Sequence, residues 1–577
     1  MIFNNHTFLL YSISKIASIT NAKLFANNGN TVIEHLLLDS RKLLFPESTL
    51  FFALDGLRWK GGLFIDNLYN KNVRAFVVDE NFTKKEMLKF ADAAFLQVPN
   101  VLQALQSVAA FHRQQYNVPV IGITGSNGKT IVKEWLYQLL QHDYNIVRSP
   151  RSYNSQVGVP LSVWQMNGSN TLAIFEAGIS EPGEMQRLQQ VIAPTIGILT
   201  NIGEAHSEGF TNPTEKINEK LKLFVQCNVL IYNADNPATN EVLHTFVNNS
   251  ETNKHVRLFS WGKTATATLQ IMDVVSNDAQ SSISAIWKGQ AVNFKVPFVD
   301  TASIENAISC CCTLLYIGVA FENITKRMLQ LKPVEMRLEL KQGINNCSII
   351  NDSYSADINS LTIALDFLQQ QQQHTRRTVI LSDILQSGKS NLALYSEVAS
   401  ILQQKKINRL IGIGPGISSK KNIFNNIEEV VFFNSTNEFR QQFHSRQFHN
   451  ETILLKGARV FEFEQISHLL EEKTHQTVLE VNLNAVTHNL NVYKQMLGPT
   501  VKLMAMVKAF SYGSGSFEIA NLLQFHHVDY LAVAYTDEGV ELRKAGITLP
   551  IMVMNAEEVN FDMLVAYNLE PELFSLG

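Results

Sequence analysis

The sequence predicts an α/β protein built from several domains. Its 577 residues are too many for one hydrophobic core, and at roughly 150 residues per domain about four units are expected. From about residue 118 to 330, apolar strand patterns alternate with helical ones, the order that gives a parallel sheet with crossover helices. After the polar stretch Glu471–Gln476 a second strand–helix rhythm begins and continues to the end of the chain.

The first unit, residues 1–112, holds short strands and helices and closes on the apolar-periodic stretch Val101–Arg113. The second, 113–330, opens with Val118–Thr124, a buried-strand pattern that leads into a glycine-rich turn. Within it, Leu258–Val299 reads as inserted β-hairpins. A third α/β unit covers 331–473, with Gln369–Gln373 and His374 as an exposed helix end or loop. The fourth, 477–577, reads as strands Val478–Val481, Val501–Val507, Tyr530–Ala534 and Pro550–Met554. Helices Asn484–Met496, Phe517–Gln524 and Asp537–Ala545 separate them. That is the βα repeat of a (β/α)8 barrel, carried through about four units, half of a closed barrel.

Composition narrows the function classes. Hydrophobic residues make up 45% and charged residues 17%, a globular balance. A net charge of -4 and a pI near 6.4 argue against a nucleic-acid or membrane-surface binder. No apolar run reaches the 18 or so residues of a membrane helix, and Met1–Leu10 lacks the Lys or Arg that starts a secretory signal. A cytoplasmic protein without membrane insertion is expected. The five cysteines, Cys227, Cys310, Cys311, Cys312 and Cys347, show no metal-ligand spacing and read as reduced core thiols.

The strongest chemical signal is Val118-Pro-Val-Ile-Gly-Ile-Thr-Gly-Ser-Asn-Gly-Lys-Thr130. Glycines let backbone N–H groups close around phosphate oxygens, and the helix that follows presents its free N–H groups and positive dipole end. Gly125, Ser126, Asn127, Gly128, Lys129 and Thr130 are the nucleotide-binding candidates, with Lys129 neutralising phosphate and Thr130 holding Mg²⁺. Ile123 stands where the usual loop carries its first glycine, so this is a variant spacing.

Gly125-Ser-Asn-Gly-Lys-Thr130 with Lys133-Glu134 resembles the Mur ligases, which add amino acids or dipeptides to a UDP-linked cell-wall precursor. The resemblance runs over about residues 30–466 with its motifs in family order. Asp39-Ser40-Arg41 and Leu50–Gly56 look like the UDP-substrate module. Asn154, Gly158-Val-Pro160, Glu176-Ala-Gly178 and Thr200–His206 match the central domain. Asn351-Asp-Ser-Tyr-Ser-Ala-Asp-Ile-Asn-Ser360 resembles the signature of the D-alanyl-D-alanine-adding branch, with Asn351, Ser355, Asp357 and Ile358 departing from it. Lys60-Gly-Gly62 departs from the family's Asp-Gly-His. The implied fold is a three-domain ligase, with an N-terminal UDP-substrate domain, a central P-loop ATPase domain and a C-terminal Rossmann-like domain. The implied partners are UDP-N-acetylmuramoyl-tripeptide and D-alanyl-D-alanine.

The resemblance also implies roles. A carboxylate is phosphorylated by ATP, an amine attacks the acyl phosphate, and phosphate leaves. Thr130 and Glu176 would hold a first Mg²⁺ and His206 a second, a nitrogen ligand that suits Mn²⁺ as well. Lys220 matches a lysine carbamylated by CO₂, which turns a cation into an oxygen-bearing anion near the second metal. Asn306, Arg337 and Asp352 match residues at the nucleotide. Asp39, Ser40, Arg41, Asn154, Tyr354 and Lys456 match residues at the other substrates.

In the fourth unit, Lys502-Leu-Met-Ala-Met-Val-Lys-Ala-Phe-Ser-Tyr-Gly-Ser-Gly515 resembles the cofactor-lysine segment of alanine racemases. Lys508 would form the Schiff base with pyridoxal phosphate and Tyr512 would hold the cofactor phosphate. A complete racemase of this kind would dimerise. With about half a barrel and without the family's second proton-transfer group, the chain as given is expected not to racemise alanine. Competing readings of the whole are another Mur-type ligase, a folylpolyglutamate synthase-like enzyme, a motor or regulatory ATPase, and a non-catalytic P-loop assembly module.

Overall fold

The computed structural model describes residues 9–25, 31–43, 45–56, 60–150, 153–202, 212–248, 253–277, 280–334, 339–353, 356–371, 373–385, 389–472, 481–498, 501–513 and 516–574. His206, Arg337 and Tyr354 lie outside the described residues, as does the predicted strand at 478–480.

Four main sheets follow one another along the chain. The first runs, in spatial order, Lys23–Phe25, Ala94–Val98, Ala75–Asp79, Thr49–Phe52 and His35–Leu37, parallel except at its Lys23–Phe25 edge. Thr49–Phe52 is buried at every residue, as expected of a strand covered on both faces. Helix Val101–Gln114 covers one face; its N-terminus is capped by Asn100, whose side chain accepts from Gln103 N at 2.9 Å.

The second sheet has nine strands: Gln290–Val296, Ser281–Trp287, Leu269–Ser276, Arg257–Gly262, Val229–Asn233, Ile196–Leu199, Val120–Thr124, Leu172–Glu176 and Ile146–Arg148. The six from Arg257–Gly262 onward are parallel. The Leu258–Val299 stretch does form β-hairpins, but they prolong the central sheet instead of standing apart from it. Its first strand, Arg257–Gly262, belongs to the parallel sheet, and only Leu269–Ser276, Ser281–Trp287 and Gln290–Val296 zigzag antiparallel, prolonging that sheet. Two-residue periodicity identifies strands but does not say which neighbour each will pair with. Helix Thr301–Ile317 packs on this sheet and carries Cys310, Cys311 and Cys312 in its core; all five cysteines are buried free thiols.

The third sheet orders Glu339–Gly343, Cys347–Asp352, Glu451–Lys456, Arg376–Ser382, Arg409–Ile413 and Glu429–Phe433, parallel apart from its first strand. Helix Ile358–Gln370 absorbs the start of the glutamine run, and Gln371 is buried just past its end rather than exposed, closing the helix with its backbone N–H on Leu368 O. The fourth sheet is four parallel strands, Met504–Met506, Tyr530–Val533, Ile551–Val553 and Glu570–Pro571. Among the described residues it stays open, a partial barrel.

The last unit touches the first two. The imidazoles of His35 and His527 lie 4.6 Å apart, Lys494 Nζ sits 4.0 Å above the Phe45 ring, and Tyr137 Oη lies 3.5 Å from Ala545 O.

Candidate active site

The site grows from strand register. Val120–Thr124 pairs with Leu172–Glu176 on one side and Ile196–Leu199 on the other, with Ile123 opposite Glu176 and Thr124 opposite Leu199. Three parallel strands thus deliver the phosphate loop, a carboxylate and the Thr200-Asn201 turn to one carboxyl-end edge, where open α/β sheets bind ligands.

The loop is clamped from the Ile196–Leu199 side. Ser126 N donates to Asn201 O at 2.7 Å, Asn127 N to Asn201 Oδ1 at 2.8 Å, and Thr200 Oγ1 to Asn127 O at 2.6 Å. Two glycines are required by space as well as by backbone. Gly128 has φ 84°, and a Cβ there would lie 2.3 Å from Asn306 Oδ1. A Cβ on Gly125 would lie 1.9 Å from Thr200 Oγ1. Lys129, at the start of helix Lys129–Leu140, folds back so that Nζ donates to Gly125 O at 2.8 Å and Ser126 O at 3.0 Å.

Thr130 Oγ1 donates to Glu176 Oε2 at 2.9 Å. Glu176 is fully buried, and its other oxygen, Oε1, has no hydrogen-bond partner. A buried carboxylate oxygen left open beside a threonine hydroxyl is a donor set that fits a hard divalent cation. Asn154 abuts the same turn, with Gly178 N donating to Asn154 O at 2.8 Å.

Lys220 comes from helix Pro213–Leu221 and is buried; its Nζ donates to Gly125 O at 3.0 Å. Burial first, and then the positive charges of Lys129 and Lys216, hold its amine well below the ordinary lysine range. A neutral buried amine is what carbamylation requires.

Above the loop a cavity is lined by Asn127, Gly128, Trp261, Ser303, Glu305 and Asn306 from the second unit and by Asp352 and Ser360 from the third. Asn306 and Asp352, far apart in sequence, meet there. Burial raises the Glu305 carboxyl, with Asp235 and Asp300 adding to the effect. Lys456, expected at the substrate, is fully buried and ion-paired with Asp352, which lines this cavity. Their strands are adjacent with these two residues in register, which fixes that pairing. Asp39 and Arg41 lie apart from this cluster in the first unit. Arg41 donates to Asp39 through Nε and Nη2, both at 2.8 Å, around the short turn Ser40–Lys42.

In the fourth unit Lys508 begins the helix Lys508–Gly513, just past the carboxyl end of strand Met504–Met506, and Ala509 N donates to Glu538 Oε1 at 2.7 Å. The side chain of Tyr512 lies outside the described residues. Residues to which the sequence alone gave no role of their own are Asn201, Lys133 and Trp261. Asn201 sat inside a motif read for its histidine, Lys133 inside one read for its glycines, and Trp261 carried no motif signal.

Residues 123–314 match the family model of the Mur ligase middle domain, and residues 481–577 that of the alanine racemase N-terminal domain. The UDP-N-acetylmuramoyl-tripeptide–D-alanyl-D-alanine ligase of Bacillus subtilis is 26% identical over 442 residues, 76% of this chain and 93% of that protein. The ligase of the same name from Rickettsia prowazekii is 27% identical over 430 residues, 72% of this chain and 91% of that protein. Among solved structures, a crystal structure of MurF from Acinetobacter baumannii superposes with a TM-score of 0.68 at 21% identity, covering 80% of this chain and 99% of that one. MurF ligase from Thermotoga maritima in complex with ADP superposes at 0.62 with 17% identity, covering 75% and 96%. These likenesses show a shared fold over the first three sheets.

Proposed function

We infer that this chain, a Mur-type ATP-dependent ligase followed by an alanine-racemase-type N-terminal segment, joins D-alanyl-D-alanine to UDP-N-acetylmuramoyl-tripeptide. The observation that carries the reading is the convergence of Lys129, the Thr130–Glu176 pair and buried Lys220 on one loop, with Asp352 of the third sheet closing the same cavity. The relatives' coverage of the first three sheets supports it.

The chemistry follows from these positions. The loop N–H groups and Lys129 gather the phosphates of ATP, Asn306 and its neighbours line the nucleoside end, and transfer of the γ-phosphoryl to the tripeptide carboxylate gives an acyl phosphate and ADP. The amine of D-alanyl-D-alanine then displaces phosphate. Thr130 and Glu176 would hold Mg²⁺, which supplies charge neutralisation at the transferring phosphoryl. Carbamylated Lys220 would present oxygens where the unmodified side chain presents an amine. We place His206 at a second metal and Arg337 at the nucleotide by resemblance. By the same resemblance, Asp39, Ser40, Arg41, Asn154 and Tyr354 go to the UDP-linked and peptide substrates. By the same resemblance we read the site of action as cytoplasmic; among the described residues no helix is long and apolar enough to cross a membrane.

For the last unit we propose that Lys508 is the lysine that would bind pyridoxal phosphate, as its place at the carboxyl rim of a parallel sheet favours. The bound cofactor would supply an electron sink for proton abstraction next to a carboxylate.

The test is ADP release by the full chain. It should require both peptide substrates together, and Lys129→Ala should lower it by about 10³-fold, the scale of losing a cation at a transferring phosphoryl. ATP hydrolysis indifferent to D-alanyl-D-alanine would instead favour an ATPase of another class.

A further inference from the structure

Behind the Thr130–Glu176 pair lies a row of alternating charges that the reaction as outlined does not use. Lys133 is fully buried one turn into the helix that follows the phosphate loop. Its Nζ donates to Ser149 O at 2.7 Å, lies 2.9 Å from Glu134 Oε1, and stands 3.6 Å from Glu176 Oε1. Glu134 Oε2 in turn accepts from Arg148 Nε at 3.1 Å, and the Arg148 guanidinium sits 3.5 Å from the centre of the Tyr137 ring. The row therefore reads Glu176, Lys133, Glu134, Arg148, negative and positive in turn.

The unequal distances matter. Lys133 has two carboxylates within reach and sits at hydrogen-bonding distance from only one of them. The partner it favours, Glu134, is about one-fifth exposed, whereas the one it does not bond, Glu176, is fully buried. Left to itself, a buried ammonium would close onto the buried carboxylate, where the lower dielectric strengthens the attraction. Glu134, anchored by Arg148, draws it the other way, and Glu176 Oε1 is left without a hydrogen bond.

We propose that Glu134 is a positioning residue that holds Lys133 back from Glu176 and so keeps Glu176 Oε1 available to a divalent cation. The inference rests on the reading of Glu176 as a metal ligand. Lys133 prevents the inner carboxylate from being buried without a countercharge, and Glu134 prevents that countercharge from occupying the cation's place.

Equilibrium binding of Mn²⁺ to the full chain, followed by the electron paramagnetic resonance signal of free Mn²⁺ with a non-hydrolysable ATP analogue present, tests this without turnover. Glu134→Gln should weaken Mn²⁺ binding about fivefold, the scale of one partly screened charge pair. Glu134→Asp, which keeps the charge, should recover part of the loss. The melting temperature should move little, because the side chain is partly exposed. Wild-type Mn²⁺ affinity in Glu134→Gln alongside a large loss in Glu176→Gln would overturn the role of Glu134 and leave the metal ligand standing. Wild-type affinity in Glu176→Gln would overturn both. A lowered melting temperature in Glu134→Gln with unchanged Mn²⁺ affinity would mark it as a merely structural residue, against the proposal.

Discussion

Lys129 and Lys220 donate to the same acceptor, the carbonyl oxygen of Gly125, at 2.8 and 3.0 Å. Burial first, and then the positive charges of Lys129 and Lys216, hold the Lys220 amine well below the ordinary lysine range. That shift favours the unprotonated amine that the proposed carbamylation of Lys220 needs.

Replacement of Lys220 separates activity from stability. Lys220→Met should lose most ligation activity and retain or gain thermal stability, because an apolar chain of similar length avoids burying an amine. Short carboxylates should restore part of the activity to Lys220→Ala. The folded state holds fewer protons on Lys220 than the unfolded state between its lowered value and the ordinary lysine value near 10.4, so its contribution to stability improves as pH rises through that window. The melting-temperature advantage of Lys220→Met over the parent should accordingly shrink from pH 6 to pH 9. An advantage that grows with pH would contradict a neutral Lys220.

Gly128→Ala tests the loop. The substitution places a Cβ at φ 84° and 2.3 Å from Asn306 Oδ1, so both the backbone and Asn306 must shift. Left-handed backbone alone costs a non-glycine residue about 1–2 kcal/mol. ATP affinity, measured by calorimetry, should fall at least tenfold, with the far-ultraviolet circular dichroism unchanged. An affinity equal to the parent's would show that Asn306 does not hold the loop.

The buried Asp352–Lys456 pair should be asymmetric to mutation. Lys456→Met strands a buried carboxylate and should cost about 3–5 kcal/mol in urea unfolding of the full chain. Asp352→Asn with Lys456→Met together should recover much of that loss, since neither charge is then left alone. Equal losses in the single and double variants would mean that the pair is not coupled.

Acid should loosen the contact between the first and last units. His35 is pushed down to about 3 by burial, then by His527 and Lys494. His527 is pushed down to about 4 by burial, then by Lys494 and His526. Glu34, 3.6 Å from His35, is the acidic neighbour on that side, and Asp529 faces Lys494, itself lowered to about 8 chiefly by burial. Both imidazoles are neutral in the docked state and take up protons more readily when freed, so docking is weakened as pH falls below about 6.5. At pH 5 the penalty is roughly 2 kcal/mol for each histidine. Hydrogen exchange around His35 and His527 should speed up between pH 7 and pH 5 beyond the intrinsic change, and Phe45→Ala should reproduce that at pH 7. Protection insensitive to both would count against the contact.

The sequence by itself determined the local chemistry and the element types. The strand Val118–Thr124, the glycine spacing and Lys129-Thr130 made the phosphate loop legible, because a tight anion-binding turn admits few residues at each position. Two-residue and 3.6-residue periodicities placed helix Val101–Gln114, strand Val120–Thr124 and most described strands and helices from Leu483 to Val553 of the last unit within a few residues of where they lie. Glu176 and Lys220 were legible only as matches in an ordered series of motifs. Tertiary structure alone decided that Asn201 clamps the loop, that Lys133 stands between two carboxylates, and that Lys456 is committed to Asp352. It also decided that Leu258–Val299 extends the central sheet and that the last unit rests against the first. The physical reason is common to all of these. Periodicity says which face of an element is buried, but strand order, register and the approach of separate sheets settle which distant side chain meets it, and a single-residue slip in register would have given each a different partner.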